Sequence, residues 1–316
     1  MSASPRFVGI DVSKHHLDVH VRPDGVARRF ANTPDGHQAV VAFLAPLAPA
    51  LVVLEATGGY QRAVAGAAAD AGLTVRVVNP ARARAFATAL GRLAKTDALD
   101  AAVLAEYAER VGPPARPLPD AGAQQLQAVL ARRRQVVGMR AMEATRLHQA
   151  TAPAVRASIA AVLAALDAQV DGLDAELAAL VAADPDWAAK EAALRRVCGV
   201  GPVVSRTLLA SLPELGTLTR QQVAALAGLA PVNRDSGSRR GPRGIRGGRA
   251  EVRTALFLAA HAARRWHPTL KGFADRLAGK GKAAKVILVA VARKLVVILN
   301  ALLRDLARNQ NQPATA

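Results

Sequence analysis

The sequence predicts an α/β domain followed by a mostly helical remainder, and three observations carry that prediction. Over the first hundred residues, short apolar strands alternate with helical stretches. Beyond a run of prolines, a glycine-poor segment carries apolar residues at heptad spacing. The last third is strongly basic and reads as helices joined by glycine-containing turns. A length of 316 residues exceeds what one core usually fills, so more than one compact domain is expected. Apolar residues make up 51% and aromatics only 3%, so the core is built from Ala, Val and Leu, and disorder throughout is excluded.

Residues 6–12 form a short apolar strand, and Leu17, Val19 and Val21 alternate with polar residues before the turn Pro23-Asp24-Gly25. Residues 26–30 return as a third strand, completing an antiparallel meander. Thr33 is the expected N-cap of a helix reaching Leu44. Residues 50–54 are a continuous apolar strand of the kind buried on both faces, ended by Glu55. Gly58-Gly59 opens a helix to Ala71, Gly72 stops it, and residues 73–78 make the next buried strand, closed by Asn79-Pro80. Helices over about residues 81–90 and 96–110 complete the unit. Three antiparallel strands followed by helix, strand, helix, strand and helix is the order of the RNase H-like fold.

Pro113, Pro114, Pro117 and Pro119 mark a boundary, dividing the chain into residues 1–115, a helical connector at 116–190 and a basic domain at 191–316. In the connector's second arm Ile159, Leu163, Leu166, Val170, Leu173, Leu177 and Leu180 keep coiled-coil spacing. Its first arm is interrupted by Arg133, Arg140 and Glu143. In the last domain a Gly199-Val200-Gly201 turn joins two helices, and an apolar helix over 221–229 leads into a loop at 230–238. Helices over about 251–264 and 283–306 follow. Trp187 and Trp266 are expected as packing anchors, and the lone Cys198 as a small core residue that permits no disulfide.

The net charge of +18 is unevenly placed: residues 1–115 carry +2, residues 116–190 carry 0 and residues 191–316 carry +16. Arginine outnumbers lysine, which suits bidentate phosphate contacts, although a GC-rich genome would produce the same bias. Composition bias acts on a whole chain, so the asymmetry points instead to a polyanion, and nucleic acid is the usual one. Arg132, Arg133 and Arg134 form a further basic cluster that, taken alone, reads as a solvated helix face before it reads as a phosphate contact. The apolar stretch at 39–54 is broken by Pro46 and Pro49, which is not how a bilayer span reads. The N-terminus lacks the basic start and long apolar stretch of a secretory signal, so a cytoplasmic protein without a membrane anchor is expected.

Asp11 ends a buried strand, where an unpaired carboxylate would cost on the order of several kcal/mol or stay protonated. Glu55 ends the fourth strand in the same way, and in the RNase H-like order the two strands are neighbours. Asp97 and Asp100 lie three apart, on one helix face. Four gathered carboxylates repel one another, and a hard divalent cation with oxygen ligands, Mg²⁺ above all, relieves that repulsion. Three of the acids also have an ordinary role open to them: Asp97 as a helix N-terminal acid, Asp100 as a partner of Lys95 or Arg92, Asp11 as a turn residue. The seven histidines show no metal-ligand spacing.

The motifs F-V-G-I-D-V-S-K, L-E-A-T-G-G-Y around Glu55, K-T-D-A-L-D-A and G-L-A-P-V-N-R-D-S-G with its arginine tail resemble, over nearly the whole chain, the DEDD insertion-sequence transposases, also called bridge-RNA-guided recombinases. The resemblance implies that Asp11, Glu55, Asp97 and Asp100 are the metal-binding acids of a RuvC-like domain. It implies that Ser236 is the nucleophile of a transposase domain, with Ser238 a rival. It further implies cutting and rejoining of element and target DNA, guided by a structured noncoding RNA in the bacterial cytoplasm, close to the nucleoid. A tetramer built from dimers is implied too, in which one subunit's acids serve another's serine. Arginines near the serine, namely Arg234, Arg239, Arg240, Arg243, Arg246, Arg249 and Arg253, are candidates to hold the scissile phosphate. No histidine lies near Ser236 in sequence to act as its base. Two alternatives stay open: a metal-dependent junction endonuclease with no covalent intermediate, and a nucleic-acid-binding scaffold without activity.

Overall fold

The computed structural model describes residues 4–92, 96–113, 118–233, 235–241 and 243–310. The chain divides into two compact units, Met1–Leu118 and Pro119–Ala316.

The first unit is a five-stranded sheet with helices on both faces. Its strands are β1 (Phe7–Val12), β2 (His16–Arg22), β3 (Val26–Ala31), β4 (Leu51–Glu55) and β5 (Val75–Val78), and its helices are α1 (Pro34–Leu44), α2 (Gln61–Asp70), α3 (Pro80–Ala89) and α4 (Asp97–Val111). Strand order is β3-β2-β1-β4-β5, with the first three antiparallel and β1, β4 and β5 parallel. Alternation along β1 sorts the two faces. Val8, Ile10 and Val12 pack with Val40 and Leu44 of α1 and with Val64 and Ala68 of α2. Phe7 points to the other face, where Leu51 and Val53 of β4 meet Ala83 of α3 and Leu104 and Tyr107 of α4. Thr33 caps α1 by accepting from the Gly36 N–H, and Thr96 caps α4 by accepting from the Leu99 N–H.

Gly9 decides how close α4 comes. A Cβ at this position would lie 2.2 Å from the Ala101 carbonyl oxygen and 2.3 Å from the Ala105 nitrogen, so only glycine lets the helix backbone rest directly on β1.

The second unit is mostly helical. It contains α5 (Ala121–Gln149), α6 (Pro153–Ala183), α7 (Pro185–Arg195), α8 (Pro202–Ser211), α9 (Arg220–Leu226), α10 (Ala250–Trp266), α11 (Pro268–Gly279) and α12 (Ala284–Gln310). One core joins Leu126 and Leu130 of α5 and Leu177 and Val181 of α6 to Leu208, Leu256 and the buried face of α12. The base of the helical pair at 116–190 therefore shares its core with the basic region. Away from that base the pair exposes Val137, Met139, Met142, Val155 and Val162.

Several local features differ from the sequence expectations. Between residues 264 and 283, where no helix was anticipated, α11 is started by Pro268 and anchored by Leu270 and Ala274. Trp187 packs on the core, but Trp266 is 74% exposed, because it closes α10 one turn beyond Ala263, the helix's last buried position. Cys198 is only half-buried. Two helices, α6 and α12, are long and apolar enough to cross a bilayer by length and composition. The face of α12 that carries Ile287, Val291, Leu295 and Leu299 is buried in the unit's own core.

Candidate functional site

Sheet register builds the acid cluster of the first unit. Parallel pairing of Ile10 with Leu54 brings the next residues, Asp11 and Glu55, to one level at the strands' C-terminal ends. Both lie on the face covered by α4, in phase with Gly9 on β1 and with Val53 on β4. The close approach at Gly9 sets the first turn of α4, with Asp97 and Asp100, beside that edge. There the helix N-terminus favours negative charge.

These charges act on one another. Burial first, then the charges of Asp100, Asp97 and Glu55, raise the Asp11 carboxyl from its ordinary 3.8 to about 6, against a lowering hydrogen bond from the Val12 backbone. Among the described residues, no group of three or more His, Cys, Asp or Glu stands gathered as a ready-made metal site. The donor set still fits a hard divalent cation, since it is all carboxylate and its mutual repulsion is what a cation relieves.

Sequence reading missed two members of this edge. Asp18 of β2 pairs across from Asp11, and Arg29 of β3 pairs across from Asp18, so a row of Arg29, Asp18, Asp11 and Glu55 crosses four strands. Two carboxylates directly opposite would destabilise the ladder. Arg29 removes the conflict by donating to both Asp18 oxygens, at 2.9 and 3.0 Å, and its guanidinium also lies 3.8 Å from Asp97. Counting register through the turns at 13–15 and 23–25 would have found both residues. Arg92, one partner considered for Asp100, instead joins Arg110 in pairing with the buried Glu106. Lys95, the other, lies outside the described residues.

The loop after Glu55 is held by Gln61, whose side-chain oxygen accepts from the backbone N–H groups of Thr57 and Gly59. Gly58 and Gly59 both take positive φ, which the T-G-G segment permits without strain.

In the second unit the segment expected as a loop is a nested hairpin. Its outer pair joins β6 (Pro231–Val232) to β9 (Gly244–Ile245), and its inner pair joins β7 (Asp235–Ser236) to β8 (Arg239–Arg240). Ser236 and Ser238 are both exposed, Ser236 on the inner pair and Ser238 in the turn with Gly237, whose φ is 53°. Ser236 pairs with Arg239, so hydroxyl and guanidinium share one face of the ribbon. Arg239, Arg240, Arg243 and Arg246 are exposed, and the Arg243 guanidinium lies 3.9 Å from the Asp235 carboxylate. Arg234 lies outside the described residues.

Other arginines named from the sequence are engaged within the unit. Arg249 grips Glu214 with two bonds of 2.6 Å, and Arg253 donates to the Gly247 carbonyl. Arg133 holds Asp174 bidentately, Arg134 pairs with Glu251, and Arg132 reaches Gln135 at 3.4 Å. At the Gly199 turn a Cβ would meet the Ala259 carbonyl at 2.5 Å, so this turn is packed against α10.

Two family models match the chain. One, described as a transposase, covers residues 8–151 and so all four acids; the other, described as the IS116/IS110/IS902 transposase family, covers residues 191–275 and so Ser236. Pilin gene-inverting proteins of Moraxella bovis and Moraxella lacunata are each 27% identical over 320 residues, spanning 98% of both chains. An uncharacterized 43.6 kDa protein of insertion element IS110 from Streptomyces coelicolor is 34% identical over 151 residues, 47% of this chain and 36% of that protein.

Proposed function

Because the chain belongs to the IS110 family of insertion-sequence transposases, enzymes that cut and rejoin DNA, we propose that it recombines DNA through two sets of residues, the acid row of a RuvC-like domain and the nucleophile Ser236. The observation that carries the first part is the Asp11 carboxyl itself, which burial first, and then the charges of Asp100, Asp97 and Glu55, raise to about 6. Asp11, Glu55, Asp97 and Asp100 would hold Mg²⁺, which when bound supplies polarisation of a phosphoryl oxygen and charge relief. Strand order β3-β2-β1-β4-β5 supports the RuvC-like assignment.

Ser236 Oγ attacks the scissile phosphorus. The Oγ–P bond forms, a deoxyribose oxygen departs with the proton that Oγ gives up in the net exchange, and the phosphoserine ester keeps the bond energy for rejoining. Arg239, on the same face of the ribbon, holds a phosphate oxygen and offsets the charge that builds on it. The +16 of residues 191–316 supports binding of nucleic-acid backbones, including that of a structured guide RNA. The exposed apolar positions of α5 and α6 support joining of subunits into a tetramer.

The test is a stalled reaction on denaturing gels, followed by mass spectrometry of the protein-linked DNA. A link at Ser236, lost together with cleavage in Ser236→Ala and Asp11→Asn, is the expected result. A link at Ser238 refutes the nucleophile. Cleaved ends with no attached protein favour the hydrolytic endonuclease instead.

A further inference from the structure

A groove of about 890 Å³ lies at the foot of the hairpin that carries Ser236, within the roughly 300–1,000 Å³ range of small-molecule sites. Pro231, Gly244 and Ile245 form one wall, and these are the strands that continue into the Ser236 turn. The floor is apolar, made by Val286, Val289 and Val297 of α12 with Phe273 of α11. Five cations stand round it, Arg220, Arg243, Lys285, Arg293 and Lys294, and among the described residues no carboxylate lines it. Lys294 Nζ sits 4.3 Å from the Phe273 ring centroid, so the ammonium covers that face of the ring.

An apolar floor inside a cationic rim complements a flat apolar ring tied to phosphates. Paired duplex DNA satisfies only half of that description, because its bases are stacked inside and only its phosphates reach the rim. An apolar peptide would cover the floor and leave Arg220, Lys285 and Arg293 of the rim without an anion. An unpaired nucleotide satisfies both: the base lies on the valines and its flanking phosphates meet the arginines. Continuity with the Ser236 hairpin selects the strand.

We propose that this groove binds an unpaired nucleotide of the DNA strand that Ser236 attacks, holding the base on Val286 and Val289 and the flanking phosphates on Arg243, Lys285 and Arg293. The choice of strand rests on Ser236 being the nucleophile, whereas the chemistry of the groove does not. Base extrusion next to the cleaved bond would hold the scissile phosphate in register with the ribbon and make the attack depend on local unpairing.

The test uses the full-length chain and fluorescence anisotropy with four short probes of matched sequence: single-stranded DNA, the same strand with central abasic sites, its duplex and the corresponding RNA. Val286 and Arg293 are exposed, so Val286→Ser and Arg293→Ala leave the fold intact. Wild type should bind the single strand roughly tenfold more tightly than the abasic strand or the duplex. Val286→Ser should erase that preference, and Arg293→Ala should weaken both single strands alike. Equal binding of normal and abasic strands overturns the proposal. So does RNA binding that exceeds DNA binding with the same sensitivity to Val286→Ser. Sedimentation in which Val286→Ser dissociates an oligomer while DNA binding stays unchanged also overturns it, making the groove a subunit contact. Ser236→Ala should retain the base preference; if that preference holds while no Ser236 adduct is found, the nucleophile reading falls and the groove stands.

Discussion

In the first unit, Asp11 is the penultimate residue of β1 and Glu55 the last of β4, both strands being buried at most other positions, and α4 is seated on β1 at a glycine. In the second unit, Ser236 lies on a two-residue strand with no buried residue, at the tip of a ribbon whose inner pair is only two residues deep. The acids are therefore held by the core itself, at the cost of burial and repulsion that raise Asp11. The serine sits on a projection whose deformation costs little, as suits a group that must meet a large substrate. Perturbing the first region should move stability and site chemistry together, whereas perturbing the second should move chemistry alone.

The largest break in this contrast is expected from Gly9→Val. Its side chain has no space against Ala101 and Ala105, so α4 must lift, at a cost of about 3 kcal/mol. Thermal unfolding should show the loss, and strand cleavage should fall because Asp97 and Asp100 move with the helix. Retention of both stability and cleavage would show that the close approach is dispensable.

Arg29→Ala comes next. It strips the partner from Asp18, which is 7% exposed and faces Asp11 across the ladder, and should lower the melting temperature. The double variant Asp18→Asn with Arg29→Ala should recover most of that loss. A double variant no more stable than Arg29→Ala would mean that Arg29 acts elsewhere.

Asp11→Asn sharpens the comparison through pH. The folded value of about 6 exceeds the ordinary 3.8, so the folded chain holds the extra proton between them and stability declines as pH rises through that window. Above about pH 6, ionised Asp11 costs roughly 1–2 kcal/mol after allowance for its partial exposure. Asp11→Asn should therefore be more stable than the parent at pH 7.5 and equal to it near pH 3.5, as denaturant titrations at the two pH values would reveal. A pH-independent difference would remove the electrostatic account of the row.

Gly237→Ala is the smallest perturbation. A Cβ there meets nothing within 4 Å, so its cost is only the left-handed backbone at φ 53°, about 1 kcal/mol and confined to the ribbon. Global unfolding should barely change, while cleavage slows with the altered turn. A large fall in melting temperature would show the ribbon to be coupled to the core.

Local pattern alone determined much of this protein. Alternation and turn residues located the five strands, Thr33 announced its helix, and Asp11, Glu55 and Ser236 were marked by apolar strands that end in acids or by a motif. These signals span a few residues, and the physics that reads them is equally local. What lay beyond them depends on residues distant in the chain. Arg29 and Asp18 matter because two hairpin registers align them with Asp11, and Gly9 because α4 returns across it ninety residues later. Arg133 and Arg249 look like phosphate ligands in sequence, but the tertiary structure gives each a carboxylate, Asp174 and Glu214. The groove has no sequence signature, since its lining is drawn from α9, the outer ribbon and α12, with one residue, Phe273, from α11. Periodicity reports which face of an element is apolar, but only folding decides which polar groups that face brings together, because pairing energies depend on distance in space rather than along the chain.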